Sequence, residues 1–399
     1  MSVEAPGRGH RINAVLRQEE QVTPLELFFD LVFVLVLTQC TALMAGVPTW
    51  EGLAQAMAIL ALLWWSWSGY AWLTSVVDPE EGAVRLVMFA AMAAMLVCAL
   101  CVPAAFDHLG LLFACAYAAL RIAHILLFVV ASRDDPALRH SVIGLAISSG
   151  VAVALLVGAS FADDVLQGAI WATALLLDFG GPYFFGVEGW RIVPEHFAER
   201  FGLVVIIALG ESIVAIGAGV QVGVSTGVVA GAVLGVAVAA ALWWLYFDVV
   251  VIMATRRLAR AAPGREQNSI ARDSYGYLHL PMIAGIVLGA MGLKKTLGNV
   301  DHELALVPAV AMYGGVTLYL LAHVAFRLRN VRTLNSQRLV AALLFVALIP
   351  VAIRIPALAA LAIVAGLLVA LIAYEAIRFS SARERVRHEL ASQAPGEPL

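Results

Sequence analysis

The sequence predicts an all-α fold, a polytopic transmembrane bundle of about twelve helices with a parallel 6+6 internal repeat. Three observations lead there. Hydrophobic residues make up 62% of the 399 positions and charged ones only 13%, with a mean hydropathy of +0.90. A water-soluble fold has no place for so much apolar surface, whereas lipid accepts it. Apolar stretches of about 20 residues, the length a helix needs to cross a bilayer core, recur down the chain. The polar joints between them carry a one-sided distribution of Arg and Lys.

Residues 1–22 read as a cytoplasmic N-terminal tail containing Arg8, Arg11 and Arg17. They lack an apolar core or a small-x-small exit, so the first helix is expected to act as its own targeting signal. The first six spans are expected near 24–47, 50–74, 83–106, 109–131, 139–160 and 165–186, and residues 23–190 form the first repeat. The second repeat, 191–379, supplies spans near 197–220, 226–254, 275–294, 303–326, 334–354 and 356–379. The longest polar joint, Thr255 to Ser274, reads as a loop on the inner face, and residues 380–399 read as a cytoplasmic C-terminal tail. Cys40, Cys98, Cys101 and Cys115 all fall inside apolar spans and give no disulfide framework.

With the N-terminus inside, 21 of the 25 Lys and Arg residues fall at cytoplasmic ends and loops. Lys294, Lys295 and Arg354 fall on the other side, and Arg121 lies within a helix. The positive-inside rule therefore places both termini in the cytoplasm. The halves also echo each other: Leu63-Trp64-Trp65 matches Leu242-Trp243-Trp244, and Ala123-His124 is placed like Ala322-His323. Gly227, Gly231 and Gly235, and again Gly285 and Gly289, give small faces that allow close helix packing. These faces are expected to pack within the chain, and the sequence leaves the oligomeric state open.

Ionisable residues at membrane depth are expensive, so their positions carry the functional argument. Glu26 and Asp30 open the first helix one turn apart and read as an inner-mouth network. Tyr117, Arg121 and His124 share one face of helix four. Arg121 and Glu211 lie near mid-helix and read either as an ion pair, with each other or with Asp178, or as a transport site. Asp178 precedes Phe-Gly-Gly-Pro, expected to break or distort helix six. Arg200 and Ser212 accompany Glu211 as one wall of a vestibule, and Asp248 lies near the inner end of helix eight. The expected partners are the lipid bilayer and a small solute, proton or cation. No cofactor and no nucleic acid is expected; a bound metal is left open.

Metalloprotease and nucleotide-binding signatures are absent from the sequence, which leaves an intramembrane enzyme as an alternative and not the first reading. A structural or signalling membrane protein, with charges that only hold helices together, is the other alternative.

The stretch Thr23-Pro-Leu-Glu-Leu-Phe-Phe-Asp-Leu-Val-Phe-Val, followed by Glu199-Arg-Phe-Gly-Leu-Val-Val-Ile-Ile-Ala-Leu-Gly-Glu-Ser-Ile-Val, resembles the bacterial low temperature requirement A family of multi-pass membrane proteins. The resemblance implies a cytoplasmic-membrane protein and carries no catalytic residue. Its characteristic positions are Glu26, Phe28, Phe29, Asp30, Phe33, Glu199, Arg200, Phe201, Gly202, Gly210, Glu211 and Ser212. A narrower resemblance, to potassium channels with an Arg…Phe-Ser-Asp motif, is confined to Arg17 and Phe28-Phe29-Asp30, where Phe29 stands in the serine's place.

The expectation is an inner-membrane transporter or channel for a small solute or ion. Its topology is directly measurable. Reporter fusions after Gly46, Phe106, Gly219 and Asn299 are expected to register outside the cytoplasm, and fusions near Arg133, Arg265 and Arg332 inside it. An outside signal at Arg265 would overturn the assignment.

Overall fold

The computed structural model describes residues 21–186, 188–220, 223–248 and 250–378. All but the last two residues of the expected N-terminal tail, and the whole of the expected C-terminal tail, 380–399, lie outside them. The described chain is all-α: α1 (Pro24–Gly46), α2 (Trp50–Thr74), α3 (Gly82–Cys101), α4 (Gly110–Ala131), α5 (Pro136–Ala159), α6 (Asp164–Phe184) and α7 (Pro194–Gly219). Then come α8 (Thr226–Phe247), α9 (Val250–Ala259), α10 (Arg265–Ile270), α11 (Leu278–Gly298), α12 (Leu306–Val331), α13 (Ser336–Ala352) and α14 (Ala357–Arg378).

Ten helical segments are long and apolar enough to cross a bilayer. The two remaining candidates are α6, which carries Asp164 and Asp178, and α13, which has 17 residues. The protein thus has ten to twelve spans. Leu86, Leu176, Val233, Val340 and Leu343 are exposed on these helices, as side chains facing lipid should be.

Two sequence expectations are corrected. The joint Thr255 to Ser274 is not a loop: α9 and α10 fill most of it, and Ala271–Tyr277 continues as a π-helix into α11. Ala254 and Leu258 are buried along one side of α9, while Arg256 and Arg257 occupy its last turn, where cations suit the negative helix end. The turn itself is confined to the residues around Pro263 and Gly264, whose φ of 94° is a left-handed value that glycine tolerates. The Phe-Gly-Gly-Pro stretch does not break α6 either. The helix runs through Pro182 to Phe184, and Gly181 lets it lie against α5, since a Cβ there would stand 2.7 Å from Ser148 Oγ.

The described residues divide into two compact units. One holds residues up to Phe33, Leu62–Phe197 and Pro263–Asn268; the other holds Val34–Ala61, Ala198–Ala262 and residues from Ser269 onward. In the first, α3 packs on α4, α4 on α5 and α5 on α6. Trp64 and Trp67 fill its interior, their rings stacked at 5.1 Å.

In the second unit, α11 lies along α12, α12 along α13, and α8 along α14. The α11–α12 crossing is set by glycine: a Cβ on Gly285 would meet the Gly315 carbonyl oxygen at 2.5 Å, and one on Gly315 would meet the Gly285 oxygen at 2.6 Å. The α8 ladder does the same against side chains, with Leu297 beside Gly231 and Ile216 beside Gly235.

Replacing Gly315 by Leu therefore cannot be absorbed by a rotamer change alone. G315L is expected to destabilise the purified protein by about 1–3 kcal/mol or more, as overpacking does, seen as a lower thermal unfolding midpoint in detergent. G366L, where nothing lies within 4 Å, is expected to unfold like the parent, and equal effects of the two would refute the close crossing.

Candidate functional site

The first cluster begins with a helix cap. Thr23 accepts from the Glu26 N–H at 3.3 Å, and the Glu26 carboxylate accepts from the Thr23 N–H at 2.9 Å. This is a reciprocal capping box, with Pro24 at the first helical position. Glu26 then meets His196 of α7, Nε2 lying 3.1 Å from Oε1. The Ser75 hydroxyl donates to the Ala71 carbonyl at 3.0 Å, which leaves its oxygen to accept from His196 Nδ1 at 3.3 Å. The pair thus shares one proton between Nε2 and the carboxylate. Asp30, one turn on, accepts from Trp67 Nε1 at 2.8 Å. Glu26 and Asp30 are both fully buried.

The second cluster joins three helices of the same unit. Arg121 of α4 donates to Asp178 of α6 at 3.0 Å, and Tyr117 donates to the other carboxylate oxygen at 2.8 Å. Ser149 of α5 donates to Asp178 at 2.9 Å and accepts from Arg121. Of the two partners the sequence offered for Arg121, the structure supplies Asp178. His124 shares the face but not the network: it lies against the Tyr70 ring at 5.0 Å, and neither ring nitrogen has a hydrogen-bond partner among the described residues. Gly69 makes room for it, since a Cβ there would stand 2.7 Å from the imidazole Cε1.

The second unit holds a corresponding closed pair. Arg338 of α13 grips Glu375 of α14 through Nε at 3.0 Å and Nη2 at 2.9 Å, the bidentate geometry in which arginine binds carboxylates best. Its remaining nitrogen donates to the Leu245 carbonyl at 3.0 Å and to His323 Nδ1 at 3.1 Å. Asn335 caps α13 through the Arg338 N–H and donates to Glu375 at 3.1 Å.

Beside the π-helix, His279 Nδ1 lies 2.9 Å from the Ser274 carbonyl oxygen, and its Nε2 lies 2.7 Å from the Tyr246 hydroxyl. A carbonyl only accepts, so the ring proton sits on Nδ1 and Tyr246 donates to Nε2. Pro281 cannot supply the N–H that an α-helix would send to Tyr277, which accounts for the wider turn before it.

Glu211 differs from all of these. It lies on α7, buried, and accepts a hydrogen bond from Thr38 of α1 at 2.5 Å. It makes no ion pair among the described residues; the Thr41 hydroxyl also bears on it, Lys294 of α11 acts on it electrostatically, and Cys40 stands beside it. Thr38, Ala42 and Ala45 follow one another along one face of α1. Ala42, Ala45 and Gly46 line an open cavity of about 400 Å³ with Lys294, Lys295, Gly298 and Asn299. Arg200 is fully buried. Ser212 lines a separate void of about 10 Å³ between α8, α11 and α12, and Asp248 is the half-buried C-cap of α8.

Thr23, Thr38, Ser149, His196, His279 and Arg338 were not singled out as site residues from the sequence. The capping box had a readable signature, Thr-x-x-Glu before an apolar run. The others pair across long sequence separations and left no local mark.

Buried ionic clusters among helices with exposed apolar faces define a polytopic membrane protein. Residues 21–373 match the family model described as bacterial low temperature requirement A protein. The chain belongs to this family. It is also 30% identical over 307 residues to a protein of Rhizobium meliloti described as uncharacterized, the match covering 74% of each chain. No solved structure matches the chain.

Breaking the Arg121–Asp178 pair should expose what it holds. Asp178→Asn leaves a buried guanidinium without its counter-charge and is expected to destabilise the protein by about 3–5 kcal/mol. R121Q/D178N should recover part of that loss in detergent unfolding. A double variant no more stable than the sum of the singles would show that the two residues do not act as a pair.

Proposed function

We propose that this protein moves a small solute or ion across the inner membrane, with Glu211 as the group that takes up and returns a proton during transfer. The observation that carries this reading is the contrast among buried carboxylates. Asp178 and Glu375 are each locked to an arginine and Glu26 to a histidine, whereas Glu211 is held by the hydroxyls of Thr38 and Thr41, and Thr38 lies one turn along α1 from the open cavity. A carboxylate without a fixed counter-ion at membrane depth suits a group that changes its charge in use. The locked pairs serve as helix glue.

We further read the chain as two six-helix repeats with both termini in the cytoplasm. Each unit supports the repeat by placing a buried arginine–carboxylate pair whose acid comes from the last helix of its half, Asp178 on α6 and Glu375 on α14. A buried histidine accompanies each, His124 and His323. The one-sided basic residues support the orientation.

The test is flux in liposomes across a panel of ions, small solutes and pH gradients. E211Q keeps an oxygen to accept from Thr38, so it is expected to fold and unfold like the parent while losing flux or its dependence on the pH gradient. Parent-like flux in a stable E211Q, or no flux in the parent for any member of the panel, would overturn the reading.

A further inference from the structure

We infer that Lys294 and Lys295, at the end of α11, form a binding site for a single phosphate-type oxyanion. They are the only two lysines in the chain; every other fixed cation is arginine. Both are half-buried and both line the open cavity of about 400 Å³, whose other lining residues are Ala42, Ala45, Gly46, Gly298 and Asn299. Among the described residues, no carboxylate lines it. Asp301 and Glu303 follow in the sequence but are exposed and outside the lining. Neither lysine makes an ion pair or a side-chain hydrogen bond among the described residues.

A structural reason for two lysines here is the negative end of a helix. Both α1 and α11 end at this cavity, at Gly46 and Gly298. Each helix end carries roughly half a negative charge, so two ends offset about one of the two ammonium charges. About one positive charge is left over. Glu211 is set back behind Thr38, four residues and so about 6 Å along α1 from Ala42, the first lining residue on that helix, and Lys294 acts on it electrostatically without an ion pair among the described residues.

The position is also costly for topology. These lysines stand opposite the great majority of the basic residues, against the bias that orients the bundle, and a helix cap alone would need only one of them.

The donor set favours an oxyanion over a halide. Each ammonium offers up to three N–H donors, and Asn299 adds an amide. Lysine serves as a point charge for phosphate. The small side chains of Ala42, Ala45 and Gly46 leave the volume open for a group of that size. Two sources supply such a group at a membrane surface: free phosphate and the phosphodiester of an anionic lipid headgroup.

The site is independent of the transport reading, and its test is an equilibrium one with no flux in it. Binding of radiolabelled inorganic phosphate is measured on the full-length protein in a zwitterionic detergent, at constant ionic strength set with chloride. In parallel, protein from nanodiscs of phosphatidylcholine with and without phosphatidylglycerol is examined by native mass spectrometry for retained lipid. The expected result is saturable binding of one phosphate, or retention of one phosphatidylglycerol, that K294Q/K295Q weakens by about tenfold or more and K294R/K295R retains.

Phosphate binding identifies the free anion as ligand, and lipid retention alone identifies the headgroup. The arginine variant distinguishes lost charge from a lost fold. Absence of both signals in the parent, or signals unchanged in the glutamine variant, would overturn the site.

Discussion

An ionised side chain at membrane depth must find its opposite charge or its hydrogen-bond partners within the helix bundle, because lipid offers neither. Most of the described structure can be understood from that constraint. Arg121 and Asp178 tie α4 to α6 with Ser149 of α5 wedged between them, and Arg338 and Glu375 tie α13 to α14. Replacing such pairs by apolar residues can cost little, whereas removing one partner costs a great deal. Their role is consequently one of specificity: each fixes the rotation and depth of two helices whose apolar faces alone would pack in several registers.

The neutral polar contacts extend the same logic. Tyr70, Tyr313 and Tyr319 are buried and each donates to a main-chain carbonyl of another helix, at Leu120, Ala360 and Leu242. Buried hydroxyls are costly when unpaired, so these bonds also select one register. Where glycines bring two backbones together, as at Gly285 and Gly315, the register is set by steric fit instead. Against this background of closed contacts, Glu211 is held by threonine hydroxyls and by no ion pair among the described residues, and the lysine-lined opening stands at the end of α1 and α11.

The sequence carried the spans well because their signal is local. An apolar run of bilayer length needs no partner to be recognised, and ten of the helices satisfy it outright. It misread the stretch from Thr255 to Ser274 because polarity was taken for irregularity. Arg256, Arg257, Gln267 and Asn268 are compatible with helix, and α9 buries only Val250, Ala254 and Leu258. It also expected Phe179–Pro182 to break or distort α6, and the helix runs on unbroken to Phe184, since neighbouring helices can compensate a missing N–H inside a membrane bundle. The choice of Glu26, Asp30, Arg121, Asp178 and Glu211 as buried groups was legible from their place in apolar runs, and all five are buried.

By itself, the sequence determined that the protein lives in a membrane, that it is helical throughout its spans, and which family it resembles, since composition, run length and motif are properties of neighbouring residues. Tertiary structure alone decided the partners. Arg121 had two carboxylates on offer and took Asp178; Glu26 took His196, 170 positions away. Such choices depend on which helix faces meet and at what depth, and a one-dimensional pattern of apolar residues, nearly uniform around many of these helices, does not encode that rotation.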